Sequence, residues 1–133
     1  MSSNAIEVVA LALQRKSDLR FLIARRGPGQ IGSGHWEFPG GKVEKNEDQK
    51  SALGREILEE LNFKLDLGKL IFVSDHYYQY PGRLIHLFLW RLAVEQTPDF
   101  TLTDHDQIAW SLPEEMSQYP LSPADIYFID KLL

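Results

Sequence analysis

The chain contains no cysteine. That absence removes disulfide staples, thiolate metal sites and cysteine nucleophiles together, and it suits a reducing compartment. No apolar run reaches the roughly 18 residues that a membrane-spanning helix needs. The opening residues, Met1 to Ile6, have neither the basic start nor the long apolar stretch of a secretory leader, so a soluble, cytoplasmic protein is expected. Basic charge is also scarce: 14 Lys and Arg stand against 19 Asp and Glu, with no basic stripe of the kind a nucleic-acid duplex attracts. The histidines, His35, His76, His86 and His105, show no zinc-ligand spacing and read as hydrogen-bonded or surface side chains. No linker, repeat or low-complexity tract breaks the chain. Its 133 residues, 44% of them hydrophobic and 25% charged, fit one domain spanning 1–133.

What is present begins with β-branched and apolar runs. Ile6 to Leu13 and Leu19 to Ala24 read as strands joined by a turn at Lys16, Ser17 and Asp18. Gly27 to Gly34 is a run of breakers and therefore loop. It satisfies G-x-G-x-x-G after a strand, but no helix can follow through Pro39 and Gly40, so a dinucleotide fingerprint is discounted. Trp36 to Gly41 is a short extended piece ending in a turn. A helix follows, with Asn46 as cap, Gln49 three residues on, and Glu47 and Asp48 in the first turn. Ala52, Leu53, Ile57 and Leu61 recur at helical spacing, and Asn62 tolerates the left-handed conformation that ends a helix. Leu70 to Tyr80 and Leu84 to Val94 form a hairpin across Pro81, Gly82 and Arg83. Ile108 to Trp110 is a short strand. Ser122 caps a closing helix over Ala124 to Leu133, with Pro123 at its first position. Strands with one central and one terminal helix indicate an α+β fold or an α/β/α sandwich around a mixed sheet.

The acidic residues are unevenly spread: Glu44, Glu47, Asp48, Glu56, Glu59 and Glu60 fall in one short stretch. Glu56, Glu59 and Glu60 stand at i, i+3 and i+4, on one helix face. An acidic run is commonly a solvated face. Carboxylates so clustered also suit a hard divalent cation, magnesium or manganese, shared with phosphate oxygens.

The flanking residues turn this choice. Gly41, then Glu47, then Arg55-Glu56-Ile57, Glu59-Glu60 and Phe63 resemble the Nudix box, G-x5-E-x7-R-E-U-x-E-E-x-G-U, with U bulky and apolar. The one departure is Asn62 in place of glycine, at a helix end where Asn is tolerated. Trp36 to Glu44, WEFPGGKVE, is similar to the matching run of MutT-like Nudix hydrolases. The resemblance covers nearly the whole chain. It implies the Nudix fold and a magnesium-dependent enzyme that cuts a nucleoside triphosphate to monophosphate and pyrophosphate. It also implies Glu59 and Glu60 as principal metal ligands, completed by Glu56 and the carbonyl of Gly40 or Gly41. Arg55 would orient a glutamate, and Glu47 would support the loop or a further metal.

Looser matches extend the expected site. Arg26 is either a phosphate clamp or an exposed strand-end arginine. Arg83 is either near the base or a solvated turn residue. Lys42 would flank the diphosphate, and Phe38 would line the pocket. Asp104-His105, six residues before Trp110, resembles a family pattern whose acid lies near the metals, and Asp104 competes with Glu56 and Glu59 as general base. Asp125, in a P-A-D segment, is either a base contact or an early-helix acid. As an ionised group it accepts hydrogen bonds and donates none. MutT-like clearance of oxidised guanine nucleotides such as 8-oxo-dGTP is the leading expectation. A CTP or dCTP pyrophosphohydrolase is the alternative, and a catalytically silent nucleotide-binding domain is the alternative of another class. A nucleotide substrate, no duplex or membrane partner, and a monomer or weak homodimer complete the reading.

Overall fold

The computed structural model describes residues 4–133. Met1, Ser2 and Ser3, the start of the segment read above as lacking a leader, lie outside the described residues. Two hydrophobic clusters sandwich one mixed sheet. Strand β1 (Ile6–Arg15) sits at its centre. It runs parallel to β6 (Arg83–Val94), from Ile6 opposite Ile85 to Arg15 opposite Val94. Its other edge is shared. The first half pairs antiparallel with β4 (Gly40–Lys42), and Gln14 pairs with Phe21 of β2 (Phe21–Arg26). β3 (Trp36–Glu37) and β7 (His105–Ser111) flank β2, and β5 (Ile71–Tyr80) forms the far edge beside β6.

Both faces of β1 are covered, which explains its unbroken apolar run. Val9, Leu11 and Leu13 face the cluster of Leu53, Ile57 and Leu61 from helix α1 (Gln49–Leu61). Ala10 and Ala12 face the opposite cluster, where Phe128, Leu132 and Met116 close the second side. The third layer is thus formed by the C-terminal segment, in keeping with an α+β sandwich.

Several boundaries differ from the sequence reading. β2 starts at Phe21, not Leu19, because Leu19 takes a left-handed φ of 62° inside the turn. The cap of α1 is Asp48, which accepts the Ser51 amide at 2.8 Å, not Asn46. Asn46 adopts φ 65° in a preceding turn closed by the Glu47 amide on the Glu44 carbonyl. Glu47 and Asp48 therefore lie before the helix, and its first turn carries no acid. Asn62 does end α1, at φ 56°, with its amide on the Leu58 carbonyl. The short strand at Ile108 to Trp110 extends over His105–Ser111.

The closing helix is not continuous. One turn, α2 (Pro123–Ile126), is followed by a 3-10 turn at Ile129–Leu132. Ser122 makes no side-chain cap; the Ala124 amide instead donates to the Tyr80 hydroxyl. The segment is held by side chains: Phe128 and Leu132 are buried, and Tyr127 stacks on His76 with centroids 4.1 Å apart. So short a piece gains little from helix propagation, and tertiary packing sets its shape.

Candidate active site

The glycines of β4 set the distance between α1 and the sheet. A Cβ on Gly40 would collide with the Val9 carbonyl, and one on Gly41 would overlap the carboxylate of Glu56. Only glycine lets β4 lie against β1 while the acidic face of α1 comes down onto it. On that face Arg55 gathers the carboxylates. Its Nε and Nη2 meet the two oxygens of Glu47 at 2.9 and 3.0 Å, and Nη1 reaches Glu56 at 3.1 Å and Glu59 at 3.4 Å. Nη2 also donates to the Lys42 carbonyl at 3.1 Å. Glu47 is pulled below the ordinary carboxylate range by Arg55 and by the Glu44 amide. Burial raises Glu56 more than Arg55 lowers it.

Glu60 differs from its neighbours. It is 6% exposed, and its Oε1 has no hydrogen-bond partner. Burial pushes its pKa up to about 9, helped by the charges of Glu37, Glu56 and Asp104. Glu59 projects outward, with a side chain 59% exposed. Among the described residues no three carboxylate or imidazole side chains already converge as a ligand cage. The donor set nonetheless fits a hard cation: all oxygen, with one desolvated carboxylate oxygen left unsatisfied.

A cavity of about 620 Å³ opens between this face and the C-terminal segment. Of the expected residues, Arg26, Phe38, Gly40, Lys42, Glu60, Arg83 and Asp125 line it. Arg55, Glu56, Glu59 and Asp104 stand outside its lining; Asp104 acts on Glu60 through its charge. Arg26 lines the cavity and is tied into the protein on three sides. Its guanidinium donates to Glu37 at 3.0 Å, to the Ile31 carbonyl at 2.6 Å and to Gln30 at 3.3 Å, pinning the glycine-rich loop as one wall. Arg83 lies over the Tyr80 ring, 5.1 Å from its centroid. Neither Arg83 nor Lys42 has an ion-pair partner among the described residues.

Asp125 is buried, and its Oδ2 accepts the Phe38 amide at 3.0 Å. Desolvation, with the nearby Glu37 charge, raises it well above the usual carboxylate range. Burial therefore works against the ionised, accept-only form expected for Asp125 and favours the protonated carboxyl, which can donate as well as accept. Sequence reasoning missed Glu37 and His105. His105 Nε2 meets Glu37 Oε2 at 2.8 Å, and both side chains are largely enclosed. The only signals were the position of Glu37 inside the WEFPGG run and of His105 beside Asp104. A larger cleft of about 720 Å³, lined by Lys50, Leu67, Phe72, Phe88 and Trp90 among others, holds none of the expected residues.

A mixed sheet, a carboxylate-bearing helix over a diglycine strand and a cavity with basic and acidic walls frame the site. The family profile described as NUDIX domain matches residues 4–132, and the chain belongs to that family. It is 41% identical over 132 residues to a CTP pyrophosphohydrolase of Escherichia coli (strain K12), covering 96% of this chain and 91% of the relative. It is 32% identical over 87 residues to an 8-oxo-dGTP diphosphatase of Proteus vulgaris, covering 65% and 75%. The crystal structure of a MutT protein from Methanosarcina mazei Go1 superposes with a TM-score of 0.84 at 21% identity, covering 98% and 96%, and shares the fold.

Proposed function

We propose that the protein is a magnesium-dependent pyrophosphohydrolase that cuts a nucleoside triphosphate to monophosphate and pyrophosphate, with cytosine nucleotides preferred. The observation that carries this reading is Glu60, a desolvated carboxylate in the cavity wall with one oxygen unpartnered. A buried anion needs a proton or a counter-ion, and a hard cation brought with a polyphosphate supplies the latter. Glu59 and Glu60 would be its principal ligands, with Glu56 and the Gly40 carbonyl completing the set and manganese a substitute for magnesium. When bound, the ion would neutralise phosphate charge and acidify a water.

The chain's own groups supply the rest. Arg55 fixes Glu56 and the Lys42 carbonyl in place. Lys42 and Arg83 meet the anionic and base portions of the substrate, while Arg26 holds the loop wall. Phe38 offers the base an apolar surface. Glu56, Glu59 and Asp104 would compete to take the proton of the attacking water. Attack at the β-phosphorus breaks the α–β anhydride and releases pyrophosphate; positioning and electrostatics supply most of the acceleration.

Asp125, whose protonated form burial favours, would then present one donor and one acceptor. That pair complements N3 and the 4-amino group of cytosine, and equally O6 and N1–H of guanine. The relative named CTP pyrophosphohydrolase, similar along nearly the whole chain, favours cytosine. The relative named 8-oxo-dGTP diphosphatase keeps oxidised guanine as the second reading. Pyrophosphate release from CTP, dCTP, dGTP and 8-oxo-dGTP, with and without magnesium, tests the proposal. The highest kcat/KM is expected for cytosine nucleotides. A tenfold advantage for 8-oxo-dGTP would replace cytosine with oxidised guanine, and no metal-dependent turnover would leave a silent binding domain.

A further inference from the structure

Glu37 lines the cavity and is held by two side chains, and nothing said so far gives it a task. One oxygen, Oε2, takes both Arg26 Nη1 at 3.0 Å and His105 Nε2 at 2.8 Å. The other, Oε1, takes no hydrogen bond among the described residues, and the side chain lines the cavity with 15% of its surface exposed. His105 is fully enclosed, and its Nδ1 has no partner. The imidazole's one hydrogen bond goes to Glu37. Two donors on one oxygen restrain the carboxylate and leave the second oxygen without a protein partner, among the described residues, in a side chain that lines the cavity.

The place of Glu37 says what that is. Its neighbour Phe38 gives its amide to Asp125, at the base end. On the other side His105 ends a segment stitched to the last turn of α1, with the Thr103 amide on the Glu60 carbonyl and the Thr103 hydroxyl on the Glu59 carbonyl, both at 3.1 Å. Glu37 is thus tied through its neighbour Phe38 to Asp125, and through His105 and Thr103 to the last turn of α1. Its charge is felt at both, raising Asp125 and Glu60 alike. Between the base and the phosphates of a nucleotide lies the sugar, whose hydroxyls are donors, and a fixed acceptor is what they lack there.

We propose that Glu37 is a specificity-determining residue that accepts a hydrogen bond from the sugar 3′-hydroxyl of the bound nucleotide, and that His105 and Arg26 position it. This rests on the nucleotide reading above. The 3′-hydroxyl is chosen because ribo- and deoxyribonucleotides both carry it. The geometry is preorganised, so the gain falls on binding and not on the chemical step.

Kinetics with dCTP and 2′,3′-dideoxy-CTP on the wild type, Glu37→Gln and His105→Leu test it. In the wild type kcat/KM for dCTP should exceed that for the dideoxy compound roughly ten- to hundredfold, with the difference in KM. Glu37→Gln should lose most of that advantage, the dCTP-to-dideoxy ratio falling towards one whatever the absolute rate. His105→Leu should shrink the same ratio through KM. Equal use of both substrates by the wild type overturns the assignment without any variant having to fold. Equal losses on both substrates in Glu37→Gln overturn it as well, and an undiminished ratio in His105→Leu removes the positioning role. Absence of wild-type turnover on both, and on 8-oxo-dGTP beside them, would instead be the failure of the nucleotide reading, and the assignment would fall with it.

Discussion

The two ends of the cavity handle negative charge in opposite ways. At the α1 end, Glu47, Glu56 and Glu59 are drawn together by one guanidinium. At the base end Asp125 is sealed from water, has no cation in contact among the described residues and takes a backbone amide as its one bond, and burial favours its protonated form. The first arrangement gathers carboxylates for a cation and a polyphosphate. The second favours a carboxyl group that can donate as well as accept. Glu60 stands between them, buried like Asp125 yet on the helix of Glu56, and Arg55 does not reach it. The difference teaches that residue type alone does not assign a role here; the neighbouring cation, or its absence, does.

Removing a charge at the α1 end is the harshest way to test this contrast. Glu59→Gln and Glu60→Gln should each lower kcat about a thousandfold or more at saturating magnesium, with far-ultraviolet circular dichroism unchanged. Retained activity in either would strike that residue from the ligand set.

The next effect concerns stability against pH without metal. The folded pKa of Glu60, about 9, lies above its ordinary value of 4.5. Below pH 4.5 the carboxyl is protonated in both folded and unfolded chains, and its full contribution is present. As pH rises towards 9 the unfolded chain releases that proton first, and the contribution is lost. Urea midpoints of the metal-free protein should fall between pH 5 and 9 by the equivalent of a few kcal/mol. Asp125, shifted the same way, adds to the decline. Glu60→Gln should flatten the profile, and magnesium should restore stability at high pH. A flat wild-type profile would mean that Glu60 is not held in its protonated form.

At the base end the expected change is milder. Asp125→Asn keeps the donor–acceptor pair but fixes it at every pH, so the relative kcat/KM values for cytosine and guanine substrates should shift up to about tenfold, with pH dependence reduced. Equal losses across the panel would reject base contact. Smallest is Asp48→Ala, which removes the cap of α1. It should cost about 1 kcal/mol of stability, measured by thermal or urea unfolding, and leave the substrate profile untouched.

The α1 end was the more legible in the sequence because its groups are close in the chain. Periodicity placed Glu56, Glu59 and Glu60 on one face, and the glycine-to-glutamate spacing gave the family and hence the sheet. The base end is assembled from β3, β7 and the C-terminal segment, which are far apart in sequence. Phe38 and Asp125 were visible as motif fragments, but the bond between them was not. Glu37 looked like an alternating polar residue of a short strand, and His105 like one more buried histidine. The pull on charge was equally hidden: Asp125 is acidic by its letter, and its burial works against ionisation. The cap at Asp48 escaped because Asn46 offers the same chemistry two residues earlier, and only backbone conformation separates them. The closing helix failed for a similar reason, since Ser122-Pro123 announces a start while Tyr127 and Phe128 are recruited by the sheet.

The parallel pairing of β1 with β6 also bears on how the chain is made. The most apolar stretch, Val9 to Leu13, leaves the ribosome early, while its longest partner, Arg83–Val94, is synthesised much later. The hairpin with β2 gives it interim company, but the centre of the sheet must wait for a distant segment to return, against the entropy of closing a long loop. During that interval the N-terminal strand is an adhesive surface in search of a mate, so slowed translation between the two strands should tax this protein's yield more than its final stability.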